Sequence, residues 1–119
     1  MNRIVLVGTK GQAVCDRCEI ADGFFTRGRG LLGRKRLLRG EGLLIKPTWS
    51  VHTWFMRFPI DVVFLDRQLR ILKVRTHMRA WRAASRFGAH SALELSAGEC
   101  DRLGLAVGDR LAWGSPKPA

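Results

Sequence analysis

A chain of 119 residues that is 46% hydrophobic holds apolar material for one modest core, which argues against both a disordered chain and a multidomain enzyme. No apolar run approaches the roughly 18 residues of a membrane helix. Twenty-one basic residues face ten acidic ones for a net charge of +11, a field that attracts phosphate polymers and anionic surfaces, although a solvated basic surface is the plainer reading.

The apolar patch at the N-terminus is too short for the central region of a signal peptide, and no small-residue cleavage site follows it. A cytoplasmic protein is therefore expected. Three cysteines make no disulfide framework and suit a reducing compartment.

Ile4 to Val7 reads as a first strand, and Gln12 to Glu19 as a second, paired with it across Gly8-Thr-Lys-Gly11. Ala21 to Leu32 places Phe24, Phe25, Leu31 and Leu32 on one helical face. Gly23, Gly28 and Gly30 weaken that helix by about 1 kcal/mol each relative to alanine. Gly42 to Lys46 and Val51 to Phe55 are short strands. Val62 to Leu65 is β-branched and aromatic, Asp66-Arg-Gln is a turn, and Leu69 to Val74 returns as its partner. This hairpin, 61 to 75, is the clearest structural signal in the chain. Residues 76 to 89 are polar and show no period. Ser91 to Leu95 is a strand. Ala97 to Leu103 is a short helix, with Ser96 as N-cap and Glu99 as its capping-box partner. Arg110 to Trp113 is a last strand.

The sum is a single α+β domain over residues 1–113, with 114–119 as a flexible tail. Its core is a small, mostly antiparallel curled β-sheet or partial barrel with two short helices.

Six segments recur in an order that carries a resemblance. They are Gly30-Leu-Leu-Gly-Arg34, Gly42-Leu-Leu-Ile45, Trp54-Phe-Met56, the block from Pro59 to Asp66, Leu93-Glu-Leu-Ser-Ala-Gly98, and Gly104-Leu-Ala-Val-Gly-Asp109. Over residues 14 to 113 the chain resembles the bacterial and archaeal family called domain of unknown function 192. The resemblance implies a small, mostly β domain with a helix near its start, and it implies no catalysis. The chain departs from the family pattern in its CxxC, in its density of arginine and in Arg57.

The residues themselves point to a site at 52 to 61. Arg57, Pro59 and Asp61 interrupt an aromatic run in a way a core strand does not need. A carboxylate at the lip of a sheet must be paired or hydrogen-bonded, and Arg57 is a partner within reach. Trp54, Phe55 and Phe58 are expected to wall a cleft that Met56 lines. The plainer reading has Asp61 accepting backbone N–H bonds at a turn. The apolar alternation of Leu93 and Leu95 puts Glu94 on the other face. There it either pairs with an arginine or converges with Asp61 as a carboxylate pair for acid–base chemistry.

Cys15-Asp-Arg-Cys18 supplies two thiols where a structural zinc site needs four ligands. Residues three apart on a strand face opposite ways, so incidental cysteines are favoured over metal or redox roles. No metal or cofactor is expected. Arg34, Lys35, Arg36 and Arg39 form a basic surface. With Trp81 and Arg82 they sketch an arginine–aromatic surface for nucleic acid. The chain thus reads as a small binding or accessory module with a cleft around Trp54, Met56, Arg57, Asp61 and Glu94, suited to a small polar or anionic ligand. A carboxylate-based hydrolase or transferase, and a binder of nucleic acid or anionic surfaces, are the alternatives.

Overall fold

Runs of β-branched, aromatic and aliphatic residues, punctuated by glycine and proline, give nine short strands and one short helix among the described residues. The computed structural model describes residues 3–22, 36–54 and 56–114. In chain order the elements are β1 (Arg3–Val7), β2 (Ala13–Ala21), β3 (Glu41–Ile45), β4 (Ser50–His52), β5 (Ile60–Leu65), β6 (Ile71–Met78), β7 (Ala83–Ser85), β8 (Ser91–Ser96), α1 (Glu99–Leu103) and β9 (Ala112–Gly114).

Seven strands form one sheet in the order β6-β5-β8-β3-β2-β1-β9, and β4 pairs with β7 in a second, small sheet. Pairing is antiparallel except between β2 and β3. The large sheet curls until its two edges approach. Arg70 and Arg110 bridge them, and Ile71 N donates to Asp109 O at 2.7 Å and Leu111 N to Leu69 O at 2.9 Å. Gly108 N also donates to Ile71 O at 2.8 Å. The edges share this isolated bridge and no strand ladder, so the sheet is curled and not closed.

Every residue of β5 is buried, Asp61 included, as the apolar run from Val62 to Leu65 demands of a strand covered on both sides. Val63 and Leu65 join Leu6, Leu44, Leu93 and Leu95 in a core that draws on both halves of the sheet. Ile60, Val62 and Phe64 join Leu43, Ile45 and Ala92 on the opposite face. The small sheet covers this second face through Val51 and Ala84, with Met56 and Phe58 packed alongside. Each such side chain stabilises the fold by roughly 1.5–3 kcal/mol.

The β1–β2 pair and the 61–75 hairpin form as expected. Three expectations need correction. The two short helices are not borne out: α1 is the one helix among the described residues. The other was expected from Ala21, but β2 extends through Ala21, and residues 23–35 lie outside the described residues. The stretch 76–89 is not all irregular. β6 runs to Met78, and Ala83–Ser85 forms β7. A register shift between Ile60 and Val62 against β6 breaks the alternation that would have revealed the end of the strand. Finally, α1 has no side-chain cap of its own. Gly98 occupies the N-cap in the left-handed region at φ 93°. Glu99 turns to Arg102, whose Nε lies at 2.6 Å, and not back to Ser96. Gly114 ends β9, and residues 115–119 lie outside the described residues.

Candidate functional site

Asp61 is fully buried, so its carboxylate must find donors. It finds three in the backbone. Oδ1 accepts from His77 N at 2.9 Å, and Oδ2 accepts from Gly98 N at 3.1 Å and Cys100 N at 2.9 Å. The last two cap α1 from a distant strand, the service an N-cap side chain usually gives locally. The first holds His77, which has φ 51°, a left-handed conformation that costs a non-glycine residue energy unless its surroundings impose it. Arg57 is exposed and is not among the partners of Asp61. The carboxylate belongs to the backbone, as the plainer reading anticipated, and it positions the residues around the site.

Glu94 points the other way. In the β5–β8 ladder Asp61 lies opposite Leu95 and Val62 opposite Glu94, so the two carboxyls project from opposite faces of the sheet. The structure does not bring them together. Glu94 is buried, not exposed. It is flanked by Val62 on one side and Leu43 on the other, and burial pushes its carboxyl up to about 8. A carboxyl held that way is protonated at neutral pH.

Two open grooves flank the segment from Trp49 to Pro59. One, of about 410 Å³, is lined by Met56, Arg57, Phe58, Pro59, His77 and Arg79. The other, of about 520 Å³, includes Trp49, His52, Trp54, Lys73 and Arg75. Both border β6. Met56 and Arg57 therefore share a groove while Trp54 faces the next one, and Phe55 lies outside the described residues. His77 and Arg79 were not anticipated as groove residues. Nor was Thr53, which is buried and ties the walls together. Its hydroxyl donates to Arg79 O and accepts from Arg82 N at 3.0 Å, and its backbone N donates to Arg82 O at 2.8 Å. A small polar residue between His52 and Trp54 was the available signal. Its partners lie 26 or more residues away, beyond what local pattern conveys.

The three cysteines are buried thiols. Cys15 and Cys18 are both buried in the same core as Cys100. The rule that residues three apart face opposite ways fails here for a physical reason. Ile4 pairs with Cys18 and Leu6 with Cys15, so β2 carries one extra residue, and Asp16 N and Arg17 N share the single carbonyl of Gly40. This is a β-bulge, which returns both thiols to one side. Cys15 is pushed far above the ordinary thiol range by its neighbour Cys18 and then by burial. Burial, followed by the charge of Asp61, pushes Cys100 up. Thiolates are the reactive species. A disulfide-exchange reagent should therefore modify none of the three in the folded protein within minutes and all three in denaturant. Rapid labelling of the native chain would contradict this assignment.

In the expected basic surface, Arg36 and Arg39 are exposed, while Arg34 and Lys35 lie outside the described residues. Arg39 Nε approaches Glu99 Oε2 at 3.9 Å, so part of its charge serves α1. The hydrogen bond from Arg102 holds the Glu99 carboxyl below its ordinary range. Among the described residues no group of three His, Cys, Asp or Glu is placed to hold a metal ion, and no helix is long and apolar enough to cross a membrane.

The family model for domain of unknown function 192, described as an uncharacterised ACR, matches residues 5–113. A UPF0127 protein of Pyrococcus furiosus is 34% identical over 109 residues, spanning 88% of this chain and 93% of its own. A UPF0127 protein of Thermococcus sibiricus is 32% identical over 110 residues, spanning 88% of this chain and 71% of its own. The crystal structure of a protein of unknown function from Novosphingobium aromaticivorans superposes with a TM-score of 0.80 at 23% identity, covering 93% of this chain and 84% of that one, and so shares the fold. With nearly the whole chain matched, the protein belongs to the domain of unknown function 192 family.

Proposed function

We propose that this protein is a small binding module whose ligand occupies the groove of Met56, Arg57, Phe58, Pro59, His77 and Arg79. The observation that carries the reading is chemical contrast. The floor is apolar, and neither Arg57 nor Arg79 engages its guanidinium in an ion pair or hydrogen bond with a described residue. Solvent-facing guanidinium groups without a described protein partner, at the rim of an apolar groove, suit a small ligand with a carboxylate or phosphate head and an apolar body. His77, fixed by Asp61, adds a third polar group whose backbone is held in place. The acid–base alternative loses its support, because Asp61 and Glu94 face opposite ways and Asp61 is saturated by backbone donors.

Octanoate and phenyl phosphate carry the required features and serve as probes in titration calorimetry. A charge-assisted hydrogen bond contributes about 1.5–3 kcal/mol, so the double variant Arg57→Ala, Arg79→Ala should weaken binding by at least tenfold. Phe58→Ala should weaken octanoate as well. Equal affinity in the wild type and the double variant, with both folded, would remove the groove from consideration.

A further inference from the structure

We infer that the neighbouring face, built on β4 and β7, is a docking surface for single-stranded nucleic acid. This goes beyond the proposed small-ligand groove and uses different residues. Two aromatic pairs stand on this face. Trp49 stacks on Phe87 with ring centroids 5.0 Å apart and planes at 15°. His52 stacks on Trp54 at 4.7 Å and 26°. The rings are not buried by this stacking: Trp49 is 48%, Trp54 50% and Phe87 78% exposed. Exposed apolar rings clustered in this way mark an interaction surface.

The charge around the rings has one sign. From residue 67 to residue 93 there are seven arginines and lysines and no acidic residue. From 42 to 65 the sole carboxylate is Asp61, which is buried and faces away from this surface. Lys73 and Arg75 line the groove between the aromatic pairs. Lys73 Nζ is steadied by Ser85 O at 3.0 Å, and Arg75 engages its guanidinium with no described residue. Planar rings beside a cationic groove are the two parts a single strand requires, one for base faces and one for phosphates.

Size then separates a polymer from a mononucleotide. Trp49 and Trp54 flank β4, so their backbones are up to roughly 17 Å apart at strand rise. One base cannot stack on both pairs, but successive bases of one strand can. Duplex DNA hides its base faces, and its phosphates alone would leave the rings unused. A lipid surface also accepts tryptophan and cationic side chains, and the competition by vesicles below separates it from a single strand.

The test is fluorescence anisotropy with the full chain and a labelled oligo(dT) of about 15 nucleotides, within the site size of small single-strand binders. Binding should weaken as salt rises from about 50 to 200 mM. The double variant Trp49→Ala, Trp54→Ala should lose at least about tenfold in affinity, because each stacked base contributes substantially. Trp49→Phe with Trp54→Phe keeps the stacking faces and should retain most of the affinity, which separates lost stacking from lost folding. Lys73→Ala with Arg75→Ala should lower both the affinity and the salt dependence more than Arg36→Ala with Arg39→Ala does. A duplex bound as tightly as the single strand, tryptophan variants that bind normally, or anionic vesicles that outcompete the oligonucleotide would each overturn the inference. None of these outcomes bears on the octanoate groove, so the two readings fail separately.

Discussion

Asp61→Asn should lower the free energy of unfolding by about 2–4 kcal/mol in urea denaturation, although the side chain barely changes size. The carboxylate accepts from three backbone N–H groups, and hydrogen bonds to a charged group contribute about 1.5–3 kcal/mol each. Asparagine keeps one acceptor oxygen and turns an NH₂ toward at least one of those donors. The less costly orientation keeps Gly98 N and Cys100 N on the oxygen and leaves the NH₂ facing His77 N. The left-handed turn at His77 then loses its restraint, and the groove loses a fixed wall. The variant should therefore weaken octanoate binding even where it is fully folded, and amide exchange should accelerate first at His77. Asp61→Ala strands all three donors and should be more destabilising still, with exchange at Gly98 and Cys100 accelerated too. An unchanged urea midpoint in Asp61→Asn would mean that the carboxylate contributes nothing beyond its shape.

How much of this was legible in the sequence follows from the range of each interaction. Hairpins are local, so β1–β2 and β5–β6 were readable from alternation and turn residues. The 52–61 stretch stands out in the sequence because Arg57, Pro59 and Asp61 break an aromatic run. The partners of Asp61 were not, because they lie 16 to 39 residues away and are backbone amides, which every residue type supplies. The bulge that brings Cys15 and Cys18 to one face leaves no mark in composition. Nor does the bulge near His77, which made the end of β6 look like loop. Alternation puts Glu94 on the face away from Leu93 and Leu95, and it lies there. Whether that face met water depended on the small β4–β7 sheet, which the sequence pattern did not place over it. The capping box failed for a related reason: Arg102 and Asp61 each offered a better partner than the local pairing.

Glu94 is the residue whose titration should dominate the pH dependence of stability. Burial pushes its carboxyl from an ordinary value of 4.5 up to about 8. Between these values the folded protein keeps a proton that the unfolded chain has released. Unfolding therefore sheds protons, and stability falls as pH rises through that window. The contribution is fully present below about 4.5, declines by up to about 1.4 kcal/mol per pH unit, and levels off above about 8. The total is at most roughly 4–5 kcal/mol, and relaxation around a newly charged group will reduce it. Glu99 works with the opposite sign: Arg102 holds its carboxyl low, so its contribution is lost as pH falls through the acid range. Both groups favour stability on the acid side of neutrality over the alkaline side and over strong acid. Glu94→Gln isolates the larger effect. The amide mimics the protonated acid, so the variant should match the wild type near pH 5 and exceed it by a few kcal/mol near pH 9. Thermal or urea unfolding at pH 5, 7 and 9 reads the difference directly. A Glu94→Gln variant that is less stable than the wild type at pH 9 would show instead that the carboxylate form has a partner. That result would restore Glu94 as a charged group on the face that carries the grooves, available for chemistry that a neutral acid cannot perform.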